Sequence, residues 1–212
     1  MEIRAFEFSR DLVEDLVLLV TEEDLQDYAW PSQEVKTLLL AQGFSGKSGE
    51  TAACVYVPAG RETPVKAVAG GLGKGEELTL EKVRRAFGSV LKQAEKLKIQ
   101  ALTVLPWASE RLAPGDVARA LTEAGLLAAY RFERYLGEKK ERSLRSLQIG
   151  YTPEQEVEVI AGIKLGQALG EATNLARDLV NEPANVMTPA RLAAEAQKAG
   201  EQYGFSVEVL DK

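Results

Sequence analysis

The chain has 212 residues, of which 45% are hydrophobic and 27% charged, and this apolar content is enough for one large or two small domains with real cores. The formal net charge of -6 provides no basic surplus to neutralise phosphates and disfavours nucleic acid as a partner. The single cysteine excludes an internal disulfide and fits a reducing compartment, and the absence of histidine excludes Ser-His-Asp triads and His-based zinc sites.

The first third of the chain alternates strand and helix patterns. Ile3–Phe8 and Asp15–Val20 predict strands, and the second is continuously apolar, as is typical of a strand buried on both faces. A short helix capped by Ser32 follows. Two further strands are predicted at residues 51–58 and 65–70, on either side of a turn that is rich in proline and glycine.

No stretch of the sequence resembles a targeting or membrane-spanning segment. Residues 1–10 lack the continuous apolar core of a signal peptide, and the longest strongly apolar run, Leu16–Val20, is far too short to cross a bilayer. We therefore expect a cytoplasmic protein with no membrane partner.

Residues 80–150 continue the alternation. Apolar residues from Leu80 to Leu97 recur at helical spacing and predict an amphipathic helix laid on a sheet. A strand at 100–106, a helix at 114–128 and strands at 129–136 and 143–150 are expected to follow. Together these patterns predict an α/β domain over residues 1–150, with a mixed sheet flanked by helices.

The pattern changes after residue 150. Apolar residues fall on one broad face between Pro153 and Val180 and predict a single long helix. This helix must end before Pro183, because a proline disfavours helical geometry in the residue before it. Its length suits a connector, so we expect a linker helix over residues 151–181.

A new helix and a strand pattern follow the linker. Thr188 is suited to an N-cap and Pro189 to the first helical position, and a glycine stop is expected near Gly200 or Gly204. Residues 205–210, "FSVEVL", alternate like a strand. Since one helix and one strand cannot enclose a core, residues 182–212 are predicted to be the start of a second, incomplete α/β domain.

One glycine-containing stretch, "AQGFSGKS" at residues 41–48, nearly matches the phosphate-binding pattern G-x-x-x-x-G-K-[ST]. Ala41 replaces the first glycine, however. A helix is also predicted before the stretch, where a true phosphate loop would follow a strand. Both departures favour an ordinary turn.

A second glycine-rich stretch, "AVAGGLGKGEEL" at residues 67–78, has the strand, loop and helix order of an anion site at a helix N-terminus. Its candidate residues are Gly71, Gly73, Lys74 and Gly75. Their spacing does not match the dinucleotide pattern G-x-G-x-x-G. A turn required for packing is the favoured alternative.

The segment "NLARDLVNEPANVMTPARLA", residues 174–193, carries a long and unusual motif. It resembles the entry to the catalytic domain of leucyl aminopeptidases, the M17 metallopeptidase family, whose members have a similar R-x-L-x-N-x-P-x-N-x-x-T-P run. Weaker likenesses occur in the order expected of the family's N-terminal domain: "FSGKSGE" at 44–50, "GLGK" at 71–74 and "YRFERY" at 130–135. The resemblance covers essentially the whole chain.

This resemblance implies a cytoplasmic homohexamer that removes N-terminal residues from peptides. It also implies two divalent metals, zinc or manganese, held in the C-terminal domain, where they activate water and polarise the scissile carbonyl. The family's ligands come from motifs of the type V-G-K-G-x-T-F-D-x-G-G and N-T-D-A-E-G-R, and neither is present here.

We therefore assign no catalytic residue, no cofactor and no metal ligand to this chain, and we expect it to be inactive by itself. Lys74 shares only a Gly-Lys-Gly core with the first of the family's two motifs. Asp178 and Glu182 are interpreted as polar groups of a helix end and a loop.

Two other functions remain open at this point. The N-terminal domains of the family resemble macro domains, an α/β fold that often binds ADP-ribose, so the chain could be a stand-alone binding module for ADP-ribose or another anion. Alternatively, it could be a structural domain that associates through an apolar face of the helix predicted over Pro153 to Val180.

Overall fold

The computed structural model describes residues 1–8, 14–25, 30–60, 62–106, 109–138 and 141–210. Within these residues, strands and helices alternate as an α/β fold requires. The strands are β1 (Glu2–Glu7), β2 (Asp15–Thr21), β3 (Thr51–Tyr56), β4 (Val65–Gly73), β5 (Ala101–Val104) and β6 (Ser146–Tyr151). The α-helices are α1 (Gln33–Ala41), α2 (Leu80–Lys96), α3 (Pro114–Ala129), α4 (Glu156–Asn181) and α5 (Pro189–Tyr203).

The described residues form two compact units, residues 1–171 and residues 172–212. The larger unit holds the sheet, helices α1 to α3 and the first part of α4. The smaller unit holds the end of α4 and helix α5. The domain boundaries expected at residues 150 and 181 stay a prediction.

The larger unit is built on one mixed sheet with the strand order β1-β6-β5-β2-β4-β3. Neighbouring strands run parallel, except that the edge strand β3 is antiparallel to β4. The predicted α/β fold, with a mixed sheet flanked by helices, is therefore confirmed. The comparison with macro domains stays a prediction.

Two hydrophobic clusters cover the two faces of the sheet. On one face, Val17 and Leu19 of β2 belong to a cluster that includes side chains from α2, α3 and α4. On the other face, Leu18 packs in a cluster with Val35 and Leu39 of α1. Strand β2 is thus buried on both sides, as its continuous apolar run predicts.

The single cysteine lies in the cluster on the α1 side. Cys54, on β3, is 8% exposed. Burial is the main cause that raises the pKa of its thiol, and the nearby Glu34 carboxylate raises the pKa further. The thiol is therefore protonated and shielded in the folded chain.

Several helix ends agree with the sequence. The side chains of Ser32 and Thr188 accept hydrogen bonds from the amides of Val35 and Arg191, as expected of N-caps. Gly204 ends α5 in the left-handed conformation. The predicted long helix is confirmed as α4, preceded by a short 3-10 turn. Within the described residues, no helix combines the length and hydropathy needed to span a bilayer.

The strand predicted at residues 129–136 is wrong. Ala129 is the last residue of α3, and residues 130–136 form an irregular segment with a turn. The rings of Phe132 and Tyr135 contact each other with centroids 5.9 Å apart. Aromatic residues that suggest a strand here instead pair locally within the segment.

The strand predicted at residues 205–210 is also wrong. These residues have no regular structure, and the amide of Phe205 donates to the carbonyl of Gly200 as part of the end of α5. An alternating pattern forms a strand only beside a hydrogen-bonded neighbour, and no described strand pairs with this segment.

Helices α3 and α4 approach closely because glycines face the contact. Gly162, Gly166 and Gly170 recur every fourth residue of α4 and are buried. A Cβ at Gly162 would lie 2.8 Å from the backbone carbon of Gly115 in α3, and one at Gly166 would lie 2.7 Å from the carbonyl oxygen of Arg119. Such distances leave no room for a methyl group, so the spacing of the two helices depends on these glycines.

Two Gly→Ala substitutions test this contact with opposite expected signs. Gly162→Ala should destabilise the chain by about 1–3 kcal/mol, since the helices would have to separate. Gly88→Ala, in α2, has nothing within 4 Å of the new methyl group and should stabilise the helix by about 0.5–1 kcal/mol. Urea unfolding measures both. Equal effects of the two substitutions would contradict the close contact.

Candidate functional site

The two glycine-containing stretches lie side by side where the parallel strands β2 and β4 end. The amide of Gly71 donates to the carbonyl of Glu50 over 2.9 Å, and the amide of Gly73 donates to the carbonyl of Gly46 over 2.8 Å. A Cβ at Gly71 would overlap the carbonyl oxygen of Lys47. The glycines therefore allow the two backbones to touch, which is a packing role.

The stretch that nearly matches a phosphate loop encloses a carboxylate of its own. Oε2 of Glu50 accepts hydrogen bonds from the amides of Ser45, over 2.8 Å, and Lys47, over 3.3 Å. The Ser45 hydroxyl also donates to Oε1 over 3.0 Å. Burial raises the pKa of the Glu50 carboxyl, but these hydrogen bonds outweigh that effect and hold the pKa below its ordinary value.

This geometry is that of an ordinary turn between α1 and β3. Amides that would surround a phosphate in a true phosphate loop are turned towards Glu50 instead. The negative charge that stabilises the turn therefore comes from Glu50 of the same chain and not from a bound phosphate.

The second stretch also binds a carboxylate from the same chain. The four candidate residues lie close together along the chain. Gly71 and Gly73 are in the last residues of β4, Lys74 follows the strand, and Gly75 begins a single 3-10 turn. The amide of Gly75 donates to Oε2 of Glu23 over 2.8 Å. This hydrogen bond is the main cause that lowers the pKa of the Glu23 carboxyl.

The N-terminus of α2 does not take part in this loop. Helix α2 begins five residues after the last glycine of the loop, and the Thr79 hydroxyl caps it by accepting from the amide of Lys82. The strand, loop and helix order predicted from the sequence is present, but the long helix does not present its amides to the glycines. Anion binding by the loop stays a prediction.

A cleft of about 550 Å³ opens beside Gly75. Of the described residues that line it, four are carboxylates and one is an arginine, Arg111, which donates to the carbonyl of Glu76. This excess of negative charge opposes the entry of a phosphate. The sequence does not predict this cleft, because its walls come from three separate segments. The lining residues are Thr21, Glu23, Asp24, Gly75, Glu76, Leu78, Ser109, Glu110 and Arg111.

In the smaller unit, the unusual motif forms the end of α4, a tight loop and the start of α5. The carbonyl of Pro183 accepts hydrogen bonds from the amides of Val186 and Met187 over 2.8 and 2.9 Å. Asp178 lies in the last turn of α4, and Glu182 follows the helix directly. Both positions fit the interpretation of these carboxylates as helix-end and loop groups.

The described acidic side chains do not form a metal site. In the part of the chain that the structure describes, no three His, Cys, Asp or Glu residues are grouped so that they could hold a metal ion. The donor set that a two-metal centre needs is not formed by these residues.

Family models match both parts of the chain. The model of the N-terminal domain of the cytosol aminopeptidase family matches residues 17–139, and the model of that family's catalytic domain matches residues 174–212. The chain belongs to the cytosol aminopeptidase family. The resemblance to the M17 metallopeptidases is thereby confirmed.

Relatives in this family come from several bacteria. A probable cytosol aminopeptidase of Alkaliphilus metalliredigens is 32% identical over 84% of this chain and 36% of its own length. The corresponding protein of Clostridium perfringens is 41% identical over 67% of this chain and 29% of its own length. That of Aquifex aeolicus is 31% identical over 100% of this chain and 43% of its own length. The chain thus spans less than half the length of each relative.

Solved structures share the fold. A mutant of tomato leucine aminopeptidase matches with a TM-score of 0.78 at 24% identity, over 100% of this chain and 44% of its own. The bottromycin maturation enzyme BotP matches with a TM-score of 0.68 at 25% identity, over 92% of this chain and 38% of its own. Together with the family matches, the chain covers the N-terminal domain and the start of the catalytic domain as they occur in the cytosol aminopeptidase family.

The internal carboxylate of Glu50 makes a pH-dependent prediction. Its pKa in the folded chain lies below the ordinary 4.5, so its charge stabilises the fold above that pH, and the contribution is lost as the pH falls through the folded-state pKa. Glu50→Gln should cost about 1 kcal/mol at pH 7, and this difference from the wild type should shrink at pH 3. Urea unfolding at both pH values measures it.

The control is Glu62→Gln, which removes the same charge from an exposed position and should change the free energy of unfolding little at either pH. A Glu50→Gln cost that is as large at pH 3 as at pH 7 would show that the charge is not the cause.

Proposed function

We propose that this chain is the N-terminal, non-catalytic part of a metal-dependent aminopeptidase that removes N-terminal amino acids from peptides. The observation that carries the proposal is the pair of family matches, an N-terminal domain at residues 17–139 and a catalytic domain at residues 174–212. Peptide substrates follow from the family. The reacting groups and two divalent metals, zinc or manganese, would be supplied by catalytic-domain sequence that this chain does not contain.

The chemistry of the present residues supports that division. The described carboxylates are not grouped as metal ligands. The two carboxylates at the glycine loops, Glu23 and Glu50, accept hydrogen bonds from backbone amides of the same chain. No catalytic step is therefore assigned to a residue of this chain.

The same proposal includes organisation and location. We infer an N-terminal domain over residues 1–150, a linker helix over 151–181 and the start of the catalytic domain over 182–212. The parent enzyme is proposed to be a homohexamer in the cytoplasm. The location is supported by the relatives, which are described as cytosol aminopeptidases, and by a composition with one cysteine.

An activity assay tests the assignment. The chain incubated with leucyl-p-nitroanilide and manganese or zinc should release no nitroaniline above the buffer rate, because its described residues form no two-metal donor set. A full-length family member assayed in parallel is the positive control. Robust hydrolysis by this chain that a chelator abolishes would overturn the proposal.

The mass of the native protein separates a fragment from an independent module. An antibody raised against residues 1–150 would capture the protein from its source cells. A species more than twice the 23.1 kDa of this chain is expected, because the chain covers at most 43% of the compared relatives. A native species of 23.1 kDa would favour a binding module instead.

A second candidate function, anion binding at Gly71, Gly73, Lys74 and Gly75, is favoured by one observation. The amide of Gly75 already holds a carboxylate oxygen, that of Glu23, at 2.8 Å. An external anion such as ADP-ribose would have to replace this carboxylate. The amides of Gly71 and Gly73 already donate to backbone carbonyls. The Gly75 amide is therefore the donor that could pass from the Glu23 carboxylate to an external anion.

Calorimetry with millimolar ADP-ribose tests this candidate. If the loop binds anions, Glu23→Ala should increase the affinity about tenfold, since the Gly75 amide is freed and a repelling charge is removed. Glu76→Ala removes a charge from the same cleft without freeing that amide and should change the affinity less. An absence of heat with all three proteins would remove the candidate.

A further inference from the structure

A second cavity lies at the opposite end of the sheet from the glycine loops. It has a volume of about 390 Å³ and is bordered by the C-terminal turns of α2 and α3 and by residues that immediately precede β1 and β6. This volume falls within the range typical of small-molecule pockets, about 300–1,000 Å³. All of the lining residues belong to the larger unit.

The floor of this cavity is apolar. The side of α3 contributes only small residues, and Gly125 is closely approached by the side chains of Met1 and Leu147. Small residues at these positions keep the space open, because longer side chains would occupy it. The apolar lining consists of Met1, Leu91, Gly125, Ala128, Ala129 and Leu144.

Among the described residues, the rim carries four cations, Lys92, Lys96, Arg131 and Arg142, and one carboxylate. That carboxylate, Glu95, accepts hydrogen bonds from the amides of Ser143 and Leu144 over 3.0 and 3.3 Å. Its hydrogen bonds therefore hold the neighbouring segment in place.

Within the described ranges, most of the rim cations form no ion pair. Arg131 pairs with Glu133 at 3.7 Å. Among the described residues, none forms an ion pair with Lys92, Lys96 or Arg142. Lys96 also lies in the last turn of α2, where a cation favours the helix end. That role explains one cation but explains neither the other two nor the apolar cavity beneath them.

We propose that this cavity binds a small carboxylate that carries an aliphatic body. The aliphatic part would lie against the apolar floor, where its removal from water is favourable. The carboxylate would lie at the rim and receive charge-assisted hydrogen bonds from Lys92 and Arg142. This site is separate from the glycine loops and does not depend on the proposed peptidase activity.

Octanoate is the probe, and calorimetry on the whole chain is the measurement. Saturable 1:1 binding is expected, and octanol or inorganic phosphate alone should bind at least about tenfold more weakly, since each offers only half of the complementarity. Raising the sodium chloride concentration should lower the octanoate affinity, because the rim is exposed to solvent.

Two pairs of variants locate the site. The double variant Lys92→Gln/Arg142→Gln should lower the octanoate affinity about tenfold. Its control is Lys164→Gln, at an exposed position of α4 outside the cavity, which should leave the affinity unchanged. Ala128→Phe should abolish binding by filling the space. Its control is Ala161→Phe, on an exposed position of α4, which should bind as the wild type does. Thermal unfolding verifies that each variant is folded.

Three results would overturn the proposal. The first is an absence of saturable binding by the wild type. The second is octanol binding as tightly as octanoate, with no effect of the charge substitutions, which would mean an apolar cavity without selectivity for anions. The third is phosphate binding as tightly as octanoate, with no effect of Ala128→Phe, which would mean a surface charge effect only.

Discussion

The position of β2 between β4 and β5 is the constraint on which the rest of the larger unit depends. Parallel neighbours on both edges require long connections that pass over the faces of the sheet, and these connections carry α1 and α2. The alternate side chains of β2 then enter both hydrophobic clusters. Removing β2 from the sheet would expose both cores at once.

The end of β2 also organises the glycine loops. Thr21 pairs with Gly73 across a register shift, and the next residues bring Glu23 to the amide of Gly75. On the other side, Glu50 fills the turn that precedes β3. Each loop that resembles an anion site in the sequence therefore holds an anion supplied by the chain. A carboxylate already in place is a low-cost partner for such amides, since no ligand has to be recruited.

The spacing of apolar residues and the capping residues at helix ends predict the local elements well. Strand β2, helix α2 and the caps at Ser32 and Thr188 each follow from residues within one element. The strands predicted at residues 129–136 and 205–210 fail because a strand also needs a neighbour, which local sequence does not reveal. The family motif at residues 174–193 predicts the identity, since its residue types are too unusual to arise from packing alone.

The contacts that the sequence does not predict join distant residues. Glu23 and Gly75 are 52 positions apart. The glycines of α4 allow the close approach of α3, a helix that lies far from them in the sequence. Their four-residue spacing is visible in the sequence as a signal of close helix contact, but which helix is contacted depends on the topology. The basic rim of the second cavity is likewise assembled from α2 and the segment between α3 and β6.

The position of Cys54 gives the protein a built-in chemical reporter. Its buried, protonated thiol should react with a maleimide only when the cluster between α1 and the sheet opens. Because the chain has one cysteine, every labelled molecule records an opening of that layer. The labelling rate would therefore follow the local unfolding of one face of the sheet without any engineered probe.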